Sequence, residues 1–273
     1  GERGPDRPAP KQPFPNDLYL TLLRRPLQGR IGVADRVRNW LVRAGEESSA
    51  ALTYELGQLD AGRDALLAAL GDYEPRLLSV YDTPNGPCSQ PLEFLSSLYN
   101  GESRPVLLPH QDIGAYLPYR RISFGQEAVE LSAAGHLARS FVGLVSIKDY
   151  PAYSTPGMFD ELLRLPFELT ITQSFAFVER GAALERMNLA LRRMRSAEDE
   201  AISLRGELGQ AKEDVAAGRA GFGEHHMTIA VRGDTPGDVD AGVAEVTATL
   251  ADMGIVAVRE EIALEPAFWA ALE

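Results

Sequence analysis

Little in this sequence can be cross-linked or chelated. Its 273 residues hold one cysteine, Cys88, which excludes an internal disulfide and any cysteine-based zinc cage. Lysine is scarce too. Lys11, Lys148 and Lys212 follow Pro10, Ile147 and Ala211, so no Gly-Lys pair exists. A phosphate-binding loop needs G-x-x-x-x-G-K-[ST], because the lysine reaches the phosphates and the hydroxyl holds magnesium. That chemistry is excluded within these residues, and no G-x-G-x-x-G occurs either. No apolar run approaches the ~20 residues needed to span a bilayer, and no charged-then-apolar signal peptide opens the sequence. Positive charge is also short. Lys and Arg total 27 against 39 Asp and Glu, a net charge of −12, which argues against clamping nucleic acid through summed charge.

What is present suits a folded chain. Hydrophobic residues make up 45%, enough for a core in one large domain or two smaller ones. The chain opens Gly1-Glu2-Arg3-Gly4, as a piece of something longer would. Pro5, Pro8, Pro10, Pro13 and Pro15 make residues 1–16 an extended linker. Leu18, Leu20 and Leu22 alternate within 17–24 and predict a strand. Helical spacing over 33–70 predicts two helices broken near Ala44-Gly45, with Gly71 as C-cap. A short strand is expected over 76–81, a turn at 83–87, and a helix over 90–99 closed by Asn100-Gly101. Residues 104–119 read as loop. The domains expected are an N-terminal α/β part over 17–120 and a second part over 121–273.

The second part has the sharper signals. Residues 121–124 and 128–131 form a hairpin around Gly125, and 141–148 a central strand. Thr155-Pro156 reads as N-cap and first helical position of a helix ending near Arg164. Residues 168–178 alternate as a strand. Residues 181–218 read as one long polar helix with a coiled-coil-like seam through Leu184, Met187, Leu191, Met194 and Leu204. A strand over 225–231, a second Thr-Pro helix from Thr235 to Met253 and a strand over 255–264 complete the pattern. The fold class is α+β: a mixed sheet of ferredoxin-like β-α-β units with a long helical excursion, preceded by a smaller α/β part.

Candidate chemistry is sparse. His225 and His226 are neighbours on a strand, so they point to opposite faces and do not share an ion. One is expected buried and the other at the surface. His110 and His136 are isolated. Cys88 reads as a buried thiol at a helix start. Glu198-Asp199-Glu200 and Arg195 read as a solvated face with an ion pair. The residues singled out for partner binding are Tyr150, Tyr153 and Met158 in a turn-rich crossover, with the basic group Arg192, Arg193 and Arg195. No catalytic, cofactor-binding or metal-binding residue is identified.

Four stretches together resemble the CagE/TrbE/VirB family, the large traffic ATPases of bacterial type IV secretion and conjugation. They are CSQPLEFLSSLYNGESRPVLLP at 88–109, YLPYRRISFGQEAVE at 116–130, VSIKDYPAYSTPGMFDELLRLPFELTITQSFAF at 145–177 and GEHHMTIAVRGD at 223–234. The ending PAFWAAL at 266–272 resembles the family's connection into its ATPase domain.

The resemblance implies a non-catalytic N-terminal region whose motor, with its ATP and magnesium, lies beyond residue 273. It implies docking at the cytoplasmic side of the inner membrane. The partners implied are inner-membrane secretion subunits and other ATPase copies in a hexamer. The full protein would energise pilus assembly and export of DNA or protein. The alternative is an adaptor that contacts nucleic acid or another substrate of the same machine.

Overall fold

The structure, a computed structural model, describes residues 16–24, 46–132, 139–151, 153–196 and 202–271. Residues 1–15 of the expected linker over 1–16, the first of the two expected helices, His136 and the acidic run 198–200 lie outside the described residues.

The chain divides into two compact units, Pro15–Tyr81 and the part from Asp82 to Glu273. In the first, α1 (Glu46–Ala69) is a single helix followed by a 3-10 turn, Gly71–Tyr73. Residues 16–24 do not form the expected strand. Leu18 is 92% exposed, and no ladder partner for this segment exists among the described residues. Alternation alone makes no strand, because the backbone groups need a neighbour to pair with. Instead the segment lies along α1, where Arg24 pairs with Glu55 and Leu22 meets Gly62.

From β1 (Val80–Thr83) the chain turns into β2 (Gly86–Ser89), and the two form a small separate sheet. Cys88 sits in β2, not at a helix start, and its buried thiol faces Thr83 Oγ1 at 3.9 Å. The helix begins two residues later as α2 (Gln90–Asn100), and Gly101 closes it at φ 75°.

The main sheet has six strands: β3 (Arg121–Phe124), β4 (Val129–Ser132), β5 (Ser140–Asp149), β6 (Leu169–Val178), β7 (Phe222–Gly233) and β8 (Val256–Arg259). Their order is β3-β4-β5-β7-β6, with β8 also on β5. β7 pairs with residues 141–146 of β5, while β4 and β8 pair with its two ends along the opposite edge. The order β8-β5-β7-β6 is that of a ferredoxin-like sheet of two interleaved strand pairs, as the sequence predicted, although the β5–β6 crossover carries only a 3-10 turn where a helix was expected. The ladders are antiparallel rather than mixed. Interleaving explains this: the parallel strands of each unit are separated by a strand of the other.

Both faces of the sheet are covered. On one, Val239, Val243, Val246 and Leu250 of α5 (Pro236–Asp252) pack on Val145, Met227, Ile229 and Val231. On the other, Leu264 and Phe268 of α6 (Leu264–Ala270) cover Val129, Leu131, Val142 and Leu144. The last expected strand is therefore shorter and gives way to a helix. The alternation of Leu144 and Val145 between the two clusters is the period of two at work. α5 lies unusually close to the sheet. A Cβ on Gly143 would stand 2.6 Å from Val239 Cγ1, and one on Gly242 the same distance from Val231 Cγ1.

The two Thr-Pro-Gly starts diverge. Thr235 caps α5 in a full capping box: its Oγ1 accepts from Asp238 N–H at 3.2 Å, and Asp238 accepts from Thr235 N–H at 3.1 Å. The equivalent of Asp238 after Thr155 is Met158, which has no carboxylate to offer. Gly157 turns to φ 79°, and the segment makes successive turns ending in a 3-10 turn at Leu162–Arg164. The expected helix from Thr155 does not form.

Between β6 and β7 the long excursion is two helices, α3 (Arg180–Ser196) and α4 (Ile202–Ala216). Ala183 and Met187 of α3 share a buried cluster with Val215 of α4. In one continuous helix Ala183 and Val215 would be about 48 Å apart, at 1.5 Å per residue. The chain instead folds back as a helical hairpin, closing the apolar seam on itself.

Candidate interaction surface

β6 and β7 pair from Leu169↔Val231 to Val178↔Phe222, but β5 follows β7 only as far as Thr228. Residues 173–178 and 222–227 therefore extend beyond β5 as a two-stranded ribbon. Phe175 and Phe177 lie two apart on one face, edge to face at 4.9 Å between centroids. They are 54% and 84% exposed. Gly223 makes room for them, since a Cβ there would lie 2.2 Å from Phe175 Cζ. His225 stands opposite Phe175, with Nε2 3.3 Å from Gln173 Oε1 and its ring 5.3 Å from that of Tyr150. Partial burial lowers the His225 pKa, with help from the neighbouring His226, and raises that of Tyr150. His225 is thus favoured as a neutral, stacking ring.

The helical hairpin continues from this ribbon. Val178, Leu184 and Leu208 pack against the Ala183, Met187 and Val215 cluster. Glu179 accepts hydrogen bonds from the Gly181 and Ala182 N–H groups at 2.9 and 3.1 Å, which lower its pKa and fix the entry into α3. Arg186 of α3 pairs with Glu224 of β7. Ribbon and hairpin form one arm between β6 and β7.

The residues singled out from sequence scatter around this arm. Tyr150 joins the aromatic face through His225. Tyr153 is exposed in the crossover. Met158 packs against the main core instead of facing solvent. Arg192 and Arg193 are exposed on α3, and Arg195 lies in its last turn. His225 and His226 are both exposed, so the expectation that one is buried is not met. No group of His, Cys, Asp and Glu suited to a metal occurs among the described residues. Sequence reasoning missed Phe175 and Phe177 as a surface, because their alternation reads equally well as a buried face.

A second feature was not visible in sequence. Arg232 reaches from β7 to the C-terminal end of α2, with Nε 3.2 Å from Glu168. Burial lowers its pKa, and Glu168 opposes that shift. Arg120 pairs with Glu102 at 3.0 Å and donates to Ser140 Oγ at 3.2 Å. Asn100 ties the group together, its Oδ1 accepting from the Tyr119 and Arg120 N–H groups at 2.9 Å each. The Tyr119 hydroxyl donates to Glu102 at 2.9 Å and is the largest cause of that carboxyl's lowered pKa. This network holds the loop after α2 to the sheet.

Residues 76–272 match the profile described as CagE, TrbE, VirB family, component of type IV transporter system. The chain is 33% identical over 259 residues to a type IV secretion system protein virB4 of Bartonella quintana, covering 95% of this chain and 33% of that protein. It is 28% identical over 258 residues to protein virB4 of Agrobacterium fabrum, covering 94% and 32%. It is 27% identical over 266 residues to type IV secretion system protein PtlC of Bordetella pertussis, covering 96% and 32%. The chain thus spans about a third of the length of these relatives.

Proposed function

The chain belongs to the CagE, TrbE, VirB family, a component of the type IV transporter system, and on that footing we propose that it is a docking and scaffold region of a secretion ATPase. In this reading the motor, with its ATP and magnesium, belongs to the two thirds of the relatives' length that this chain does not span. In this reading the chain holds that motor at the cytoplasmic side of the inner membrane through inner-membrane subunits and neighbouring ATPase copies. The motor would then drive pilus assembly and export of DNA or protein.

The observation that carries the reading is the arm between β6 and β7. A ferredoxin-like sheet needs only a tight turn at that place. Here the turn is replaced by a two-helix hairpin on a ribbon with exposed Phe175 and Phe177. Exposed aromatics grouped on a rigid strand pair suit partner contact. Among the described residues no helix is long and apolar enough to cross a membrane.

The test is co-purification with the short inner-membrane subunit of the same secretion system, with the motor region run separately. Retention by this chain and not by the motor supports the proposal. Retention by the motor alone removes docking as the role of this region.

A further inference from the structure

The Arg232 N–H donates to the Glu168 carbonyl at 3.0 Å, one step beyond the β6–β7 ladder and in its register. Bonded pairs alternate along an antiparallel ladder. The even-numbered residues of β6 therefore turn their backbone groups to β7. Leu169, Ile171, Gln173, Phe175 and Phe177 turn theirs outward. β6 is the end strand of the sheet order, and among the described residues no strand pairs with its outer edge.

Long edge strands are normally blunted by lysine, proline, a bulge or a covering element. β6 runs for ten residues, LTITQSFAFV, with no charge, no proline and an unbroken register. Its outer half, residues 173–177, is exposed. Glu168 and Glu179 bracket it, and the chain as a whole carries −12.

We infer that the outer edge of β6 receives an extended strand from another protein, uncharged along its middle and carrying lysine or arginine at its ends. This rests on the docking reading above and names the surface and the chemistry of the partner. Main-chain bonds to the odd-numbered residues supply affinity, and the Phe175–Phe177 face selects the side chains. The terminal cations answer Glu168 and Glu179. A second copy of this chain fits less well, because its own β6 is flanked by the carboxylates of Glu168 and Glu179 where the inferred partner carries cations.

The test uses a dye-labelled peptide of alternating valine and threonine with lysine at both ends, and the same peptide with glutamate at both ends. Each is titrated into the protein and followed by anisotropy. The lysine-ended peptide is expected to bind about tenfold more tightly or better, the difference shrinking with salt. Gln173→Pro removes one outward N–H without touching a β7 bond and should lose that binding, whereas Gln173→Ala should keep it. Hydrogen exchange on the unaltered protein gives a readout free of any folding defect: the peptide should slow the amides of Ile171, Gln173 and Phe175. Equal binding of the two peptides, unchanged exchange at those amides, or binding that survives Gln173→Pro overturns the inference. So does a dimer in light scattering that Gln173→Pro dissolves, since that assigns the edge to a second copy. If the membrane subunit still co-purifies while these tests fail, docking stands and only the edge assignment falls.

Discussion

The Arg232 guanidinium occupies the space where a side chain at Gly101 would begin: a Cβ there would lie 1.1 Å from Nη1. Gly101 is doubly constrained, since it also closes α2 at φ 75°, where side chains are strained. The C-terminal end of a helix favours a cation, so the placement of Arg232 is electrostatically sound. Gly101→Ala should cost roughly 2 kcal/mol or more, from the backbone and from displacing a buried charge. Thermal unfolding of the two proteins checks this. An unchanged midpoint would mean that Arg232 moves aside freely.

Tyr119→Phe tests the network around Glu102. The Tyr119 hydroxyl is the largest contributor to the lowered carboxyl pKa. A carboxyl whose folded pKa is depressed contributes stability above its unfolded value, near 4.3. That contribution is lost as pH falls through the folded value. The wild-type protein should therefore exceed Tyr119→Phe in stability at neutral pH, by an amount kept small by solvent, and the gap should narrow in acid. Denaturant midpoints across pH 3–7 measure it. A gap that widened in acid would contradict the assignment.

The glycines between α5 and the sheet set the helix depth. Gly242→Ala would drive a methyl to 2.6 Å from Val231 Cγ1, with Phe167 close behind. Overpacking of this kind costs about 1–3 kcal/mol. Gly143→Ala meets Val239 and Val243 from the sheet side and should cost a similar amount. Gly206→Ala meets nothing within 4 Å and sits inside α4, so it should leave stability unchanged or raise it. Calorimetry of the three variants should separate the first two from the third.

The hairpin should open without melting the sheet. Met187 and Val215 belong to a cluster separate from those on the two sheet faces. Met187→Ala should cost about 2–5 kcal/mol of hairpin stability. Limited proteolysis should then cut within 180–216, while hydrogen exchange in β5 and β7 stays slow. Loss of protection in both regions together would make the arm part of the main core.

Much of the sheet was legible because its strands alternate or carry apolar runs, and turn residues separate them. Gly101 as C-cap and the hairpin around Gly125 followed from local chemistry. The misreadings share a cause, which is that the deciding partner is remote in sequence. Thr155-Pro156-Gly157 matches Thr235-Pro236-Gly237, but only the latter is followed by the carboxylate that completes a capping box. The seam through Met187 is satisfied equally by a partner helix and by its own chain folding back. The leucines of 17–24 alternate, but no strand among the described residues pairs with them. On the surface, Tyr150 was found from its turn-rich loop, while Phe175 and Phe177 became visible as a site only because the β6–β7 ladder runs on past the last β5 pair, Ser146↔Thr228.

The central claim is that the arm docks. Ser174 and His226 are ladder partners, so the sheet can be closed there by a two-residue Asn-Gly turn in place of residues 175–225, which removes the hairpin together with Phe175 and Phe177. The decisive measurement is retention of the short inner-membrane subunit by this shortened chain, after circular dichroism and thermal unfolding have shown that the sheet is intact. The account predicts a folded protein that no longer retains the subunit. A folded protein that retains it as well as the original would contradict the claim.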